Sequence, residues 1–204
     1  MKKASLSLMT VLLTCFIILS VGIAGCTSQA PSAPPAPATK TSTVEPAELL
    51  LQLSDMPANF TLVEKGERNA SEMNEWALDI GWKKGSYAVF QKNDPHEISG
   101  ATIEQYTSVY PAENISLVVP DTVQSWKNMT VEENSANVTL EEISLPTIGD
   151  SSAALKYSNT TDNTRLYVIT FSKKDVFQNL FTNGTATDFE TVQQLARVAA
   201  AKIK

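Results

Sequence analysis

A chain of 204 residues, 43% hydrophobic and 19% charged, is long enough for one domain with a real core. Its formal net charge of −6 argues against nucleic acid or anionic lipid headgroups as partners, since both require a basic face. One histidine and two cysteines leave too few ligands for a zinc site built on His and Cys.

In chain order, Met1-Lys2-Lys3 is a short basic start, and residues 6–25 form an uncharged run rich in Leu, Val and Ile. A basic start, an apolar run and small residues before a cut define a secretory signal. Ile23-Ala24-Gly25-Cys26 resembles the lipobox of prokaryotic lipoproteins. The lipidating enzyme needs a thiol at the membrane surface, and the peptidase needs small residues before it. Read this way, residues 1–25 are a signal peptide, and Cys26 becomes the first mature residue and carries the lipid. The protein is then anchored to the cell membrane and faces outward. An uncleaved transmembrane anchor, for which the run is about long enough, and plain secretion are the alternatives. All three place the domain outside the cytoplasm. Cys15 leaves with the leader, so no disulfide is expected; loss of Lys2 and Lys3 takes the charge from −6 to −8.

Residues 26–44 hold the lipidated cysteine and a tether rich in Pro, Ser, Thr and Ala, with Pro31, Pro34, Pro35 and Pro37. It has no apolar periodicity, so nothing is buried to offset the ordering entropy. A mixture of polyproline and coil is expected. Residues 45–204 then form a single globular domain, without internal repeat or second membrane-crossing stretch.

Pro46 suits the first turn of a helix running through Leu53. Residues 60–64 read as a strand after the Met56-Pro57-Ala58-Asn59 turn. Ser71 is placed to cap a helix with Met73, Trp76, Ala77 and Ile80 on one face. Gly81 and Gly85 bracket a break. Residues 87–92 and 100–109 read as strands. Residues 121–129 read as a short helix after Pro120, and residues 138–144 as a strand. Ala153, Leu155 and Tyr157 alternate as in a half-buried strand, closed by a turn at residues 159–163. Residues 165–172 are apolar on both faces, which marks a central strand, and residues 176–182 add another. Thr187 and Glu190 form a capping box for a C-terminal helix whose apolar stripe is Val192, Leu195, Ala196, Ala199 and Ile203. The expected class is α+β: a mostly antiparallel sheet with helices packed on one face.

Asn-x-Ser/Thr occurs at Asn59, Asn69, Asn114, Asn128, Asn137, Asn159 and Asn183, seven of the twelve asparagines after the leader. With Ser and Thr at about a fifth of the domain, chance gives only two or three. These are candidate glycosylation sites, most of them at predicted turns or strand ends. The alternative is a surface rich in Thr and Asn that carries no sugar.

Catalytic signatures are sparse. His96, in Asp94-Pro95-His96-Glu97, is the lone histidine, and a metal site there needs distant carboxylates. A Ser-His-Asp triad has only His96 as base, and no serine sits in a G-x-S-x-G elbow. Ser151 and Ser152 follow a Gly149-Asp150 turn. The pairs Glu132-Glu133 and Glu141-Glu142 read as solvated charges rather than a glycosidase pair. Nucleotide loops and calcium loops have no match. No catalytic residue, cofactor or metal is therefore assigned. Trp76, Trp82 and Trp126, with Tyr87, Tyr106 and Tyr110, are suited to stacking on a sugar or apolar ligand. Trp76 and Trp126 fall on helix faces and read as core. Trp82, between two glycines and beside Lys83-Lys84, is the candidate exposed binding residue.

The lipobox with dense sequons resembles an archaeal, methanogen-like surface lipoprotein. Residues 53–60, together with the stretch from Ile148-Gly149-Asp150-Ser151-Ser152-Ala153 through the Tyr167–Phe171 strand to Ala201-Lys202-Ile203, are similar to PsbP-like and PknH-type extracellular sensor domains. The resemblance spans most of residues 45–204 and implies a sheet with helices and a binding or sensing module, not an enzyme. The expected function is a non-catalytic, lipid-anchored domain that binds an extracellular ligand or an envelope protein. A glycosylated accessory protein of the cell envelope is the alternative, and a hydrolase a remote one.

Overall fold

The computed structural model describes residues 44–92, 101–132, 137–161, 163–183 and 188–204. The chain enters through a 3-10 turn at Pro46–Glu48, with Pro46 in the first turn, and makes a second at Leu53–Asp55. The helix expected from Pro46 through Leu53 is thus two short turns. The reason lies between them: Leu49, Leu50 and Leu51 are 6%, 0% and 1% exposed. A helix turns successive side chains by about 100° and cannot press three neighbours onto one flat surface. Their backbone is satisfied by a side chain instead. Leu51 N–H donates to Gln105 Oε1 at 2.6 Å, and Gln105 Nε2 donates to Gln178 Oε1 at 2.7 Å.

Seven strands form one sheet among the described residues: β1 (Phe60–Arg68), β2 (Lys84–Lys92), β3 (Thr102–Val109), β4 (Val138–Glu142), β5 (Ser151–Asn159), β6 (Thr164–Lys173) and β7 (Val176–Asn183). Their order is β1-β2-β3-β7-β6-β5-β4, and every neighbour is antiparallel. Two meanders, β1–β3 and β4–β7, are joined by pairing β3 with β7. β6 lies inside the sheet, as its two apolar faces foretold, with Val168, Ile169, Thr170 and Phe171 all buried. β1 runs four residues beyond the expected strand. It is an edge strand, mostly exposed, with a register shift between Leu62 and Glu64. A one-sided, bulged edge leaves no clean alternation to read.

Among the described residues three α-helices complete the fold: α1 (Glu75–Asp79), α2 (Ile115–Glu132) and α3 (Phe189–Lys202). α1 is capped by Asn74, whose Oδ1 accepts from Ala77 N–H at 2.8 Å, not by Ser71, which lies in a 3-10 turn at Ala70–Glu72. α2 begins six residues before the expected start and holds Pro120 inside it. Buried Val118 and Val119 anchor the turn that the proline interrupts. α3 carries the expected stripe, with Val192, Leu195, Ala196, Ala199 and Ile203 buried. Its N-cap is Asp188, whose Oδ1 accepts from Thr191 N–H at 2.7 Å; Thr187 lies outside the described residues. Lys173 Nζ donates to the carbonyls of Ala200 and Ile203 at 3.0 and 2.6 Å, a cation on the negative end of the helix.

The α+β class and antiparallel sheet agree with the sequence, but helices lie over both faces rather than one. Side chains alternate across a sheet. Ile103, Ile169, Phe171 and Leu180 point to α3 and the leucine segment. Tyr110 and Phe177 pack instead with Val118 and Val119 of α2, and Phe181 meets Trp126 edge-on at 6.5 Å between ring centroids. The apolar face of α2 needs its own surface, and the side of β5, β6 and β7 turned away from α3 provides it. Among the described residues no helix is long and apolar enough to cross a membrane.

Candidate ligand groove

The α2 side of the sheet holds a groove of about 390 Å³. Its walls come from the end of β1, from α1, from α2 and from β7. Trp76, Tyr110, Trp126 and Phe177 supply aromatic surface, and Tyr110 meets Phe177 edge-on at 6.4 Å. Below it, register builds an aromatic ladder. Tyr87 lies opposite Tyr106 in the β2–β3 pair, and the rings stack at 6.0 Å. Tyr106 stacks on Phe181 at 5.6 Å, and Trp126 of α2 closes the ladder from above.

Arg68, the last residue of β1, stands where this ladder meets the groove. Its guanidinium carbon is 5.1 Å from the centre of the Tyr106 ring, a cation–π contact. Its ion pair with Glu72 is long at 3.9 Å. Burial lowers the Arg68 pKa, against the charge of Tyr106 and Glu72, although arginine stays protonated. A half-buried guanidinium has five donors in a planar fork, and here the donors are under-used.

The floor presents an acceptor. Asn179 of β7 lines the groove, and its Oδ1 is buried without a hydrogen-bond partner. Its cross-strand neighbour Thr170 has a buried Oγ1 in the same condition. A buried polar atom left unpaired costs about 1–3 kcal/mol. On the opposite wall Asp121 is held above the usual carboxylate pKa by burial. Burial also pushes Tyr110 up to about 12, so its hydroxyl stays neutral. The groove thus offers aromatic walls, one donor-rich cation, a free acceptor and a partly desolvated carboxyl. These groups suit holding a molecule. Among the described residues no three His, Cys, Asp or Glu side chains gather as a metal site.

Several residues singled out in the sequence lie elsewhere. Cys26, and His96 with Asp94 and Glu97, fall outside the described residues. Trp82 is half-buried rather than exposed: its Nε1 donates to Ser108 Oγ at 3.1 Å, and it packs against the cluster of Tyr110, Val118, Val119 and Phe177. It does not line the groove. Trp76 and Trp126, read as core, do line it. Ser152 Oγ accepts from Ile148 N–H, a turn contact. Glu141 and Glu142 hold Lys156 and Lys127 in surface pairs. Arg68, Asp121 and Asn179 carry no local sequence signal; only strand pairing and the α2 crossing bring them together.

The sequons divide by place. Asn59, Asn137 and Asn183 are exposed, at the start of β1, the start of β4 and the end of β7. Asn159 is half-buried at the end of β5, with its Oδ1 accepting from Thr161 N–H. Asn128 lies within α2, accepting from Gln124 Nε2 at 2.8 Å. Asn69 Nδ2 donates to Glu72 at 3.3 Å, and half-buried Asn114 donates to the Ile80 carbonyl at 2.9 Å.

No family model and no curated protein matches this chain by sequence. Among solved structures, the extracellular domain of PknH from Mycobacterium tuberculosis aligns with 76% of this chain and 92% of its own, at a TM-score of 0.56 and 10% identity. A putative uncharacterized protein (Rv0999 ortholog) from Mycobacterium smegmatis aligns with 78% of this chain and 96% of its own, at a TM-score of 0.45 and 11% identity. The first of these likenesses is one of fold: the chain shares its overall fold with an extracellular domain.

Proposed function

We propose that this chain is a lipid-anchored extracytoplasmic binding or sensing domain, and that the groove beneath α2 holds its ligand. The observation that carries the reading is the meeting of Arg68, the unpartnered Asn179 Oδ1 and four aromatic side chains in one concavity. The ligand class this fits is a small molecule with an apolar or aromatic body, an anionic group for the guanidinium and a donor for Asn179. The lipobox at Cys26 and the fold shared with an extracellular domain support the location. Chemistry on the ligand is not part of the proposal: the groove pairs no nucleophile with a base.

The probe that tests the groove is 1-anilinonaphthalene-8-sulfonate, an aromatic anion whose fluorescence rises on burial. One molecule should bind per chain. Trp126→Ala should weaken binding about tenfold, the equivalent of about 1.4 kcal/mol, while Trp82→Ala should leave it unchanged. Equal loss in both variants, or none in Trp126→Ala, would place the probe elsewhere.

A further inference from the structure

Strand register sorts the sequons between the two ends of the sheet. Phe60 pairs with Lys92, Gln91 with Thr102, and Thr102 with Asn183, so Asn59 and Asn183 share one end. On the other meander Val138 pairs with Asn159, and Asn137 carbonyl accepts from Thr160 N–H at 2.9 Å. Pairing of β5 with β6 and of β6 with β7 puts this corner at the same end. The opposite end holds Arg68, Tyr110 and Phe177 of the groove. The chain enters there too, where Glu45 pairs with Lys84 of β2 at 2.6 Å.

We infer that the end of the sheet formed by the start of β1 and the β4–β5 corner is a glycan-bearing pole, with Asn59, Asn137 and Asn159 as acceptors. Asn183 stands in the same row, and its Thr185 lies outside the described residues. Each acceptor has an exposed Thr two residues on, at Thr61, Thr139 and Thr161. Asn159 already holds an Asx turn onto Thr161 N–H, which occupies Oδ1 and leaves Nδ2 to attack the sugar C1. Asn59 sits in a turn at φ 70°, away from regular pairing. The remaining sequons hold their asparagines in Nδ2 hydrogen bonds or in helical backbone. Asn114 Nδ2 is committed to the Ile80 carbonyl, Asn69 Nδ2 to Glu72 at the groove, and Asn128 is fixed in helical backbone.

The inference rests on the extracytoplasmic location proposed above. The co-reactant is an oligosaccharide linked to a polyprenyl phosphate or diphosphate at the outer membrane face. Asn Nδ2 bonds to C1 of the first sugar, and the C1–O bond breaks. The lipid phosphate leaves with the electron pair, and a base of the transferase takes one Nδ2 proton. Sugars placed so stand at the far end from the chain entry and leave the groove uncovered.

Peptide mass spectrometry of the protein purified from its own membranes tests this. Glycans on Asn59, Asn137 and Asn159, with Asn114 bare, are expected, and Asn159→Gln should remove one glycan mass while Asn114→Gln removes none. Bare pole asparagines on a chain whose Cys26 carries lipid would overturn the pole alone. Bare asparagines on a chain with an intact leader would overturn the location as well. Glycan on Asn114 at an occupancy equal to the pole sites would also contradict the inference.

Discussion

Gln105 shows how far a single side chain organises this domain. It is fully buried, accepts from Leu51 N–H and donates to Gln178, so it ties the leucine segment to the centre of the sheet. In the sequence it is one polar residue in a strand, and nothing marks it as buried. Gln105→Leu should cost about 2–3 kcal/mol, because Leu51 N–H and Gln178 Oε1 lose their partner inside the core. Urea unfolding measures this, and a loss below about 0.5 kcal/mol would show that water takes over both groups. Asp55 gives the pH dependence. Burial pushes its pKa up, but the hydrogen bonds from Lys202 and Gln52 N–H and the Lys202 charge outweigh it, and the pKa is lowered. A lowered carboxyl contributes stability above the unfolded value of about 4, and that stability is lost as pH falls through the folded value. Asp55→Asn should therefore lose less stability than the wild type between pH 7 and pH 3, as read from urea midpoints. Parallel losses would show that Asp55 does not govern the acid dependence.

Elements were legible where burial is periodic, and not where it is irregular. α3 and β6 stood out because one stripe and one two-faced run are patterns that only a helix and an inner strand produce. β1 was cut short because its exposed, bulged edge has no alternation. α2 was placed late because Pro120 reads as the residue before a helix rather than one inside it. Instead the helix starts at Ile115, absorbs the missing N–H and is held by Val118 and Val119. Pro120→Ala should restore a hydrogen bond to the Ser116 carbonyl and raise stability by about 1–3 kcal/mol. Thermal unfolding checks this; a lower Tm would mean that the proline shapes the packing of α2 on β7.

At the scale of the whole molecule, the sheet has a leucine- and α3-covered face that makes the core and an aromatic face that makes the groove. The α+β class was legible because strand and helix periods differ. The groove was not, since Arg68, Trp76, Tyr110, Asp121, Trp126 and Asn179 are spread over more than a hundred residues and meet only through strand pairing and the packing of α1 and α2. Trp82 drew attention by its neighbours, yet Ser108 and the second cluster absorb it. On the proposed reading this concavity selects an anion with an apolar body through Arg68. The most direct measurement compares two probes of one shape, 1-anilinonaphthalene-8-sulfonate and uncharged N-phenyl-1-naphthylamine, by fluorescence titration of wild type and Arg68→Met. The wild type should bind the anion at least about tenfold more tightly, about 1.4 kcal/mol, and Arg68→Met should abolish the preference. Equal affinity for the two probes in the wild type, or an unchanged preference in Arg68→Met, would contradict it.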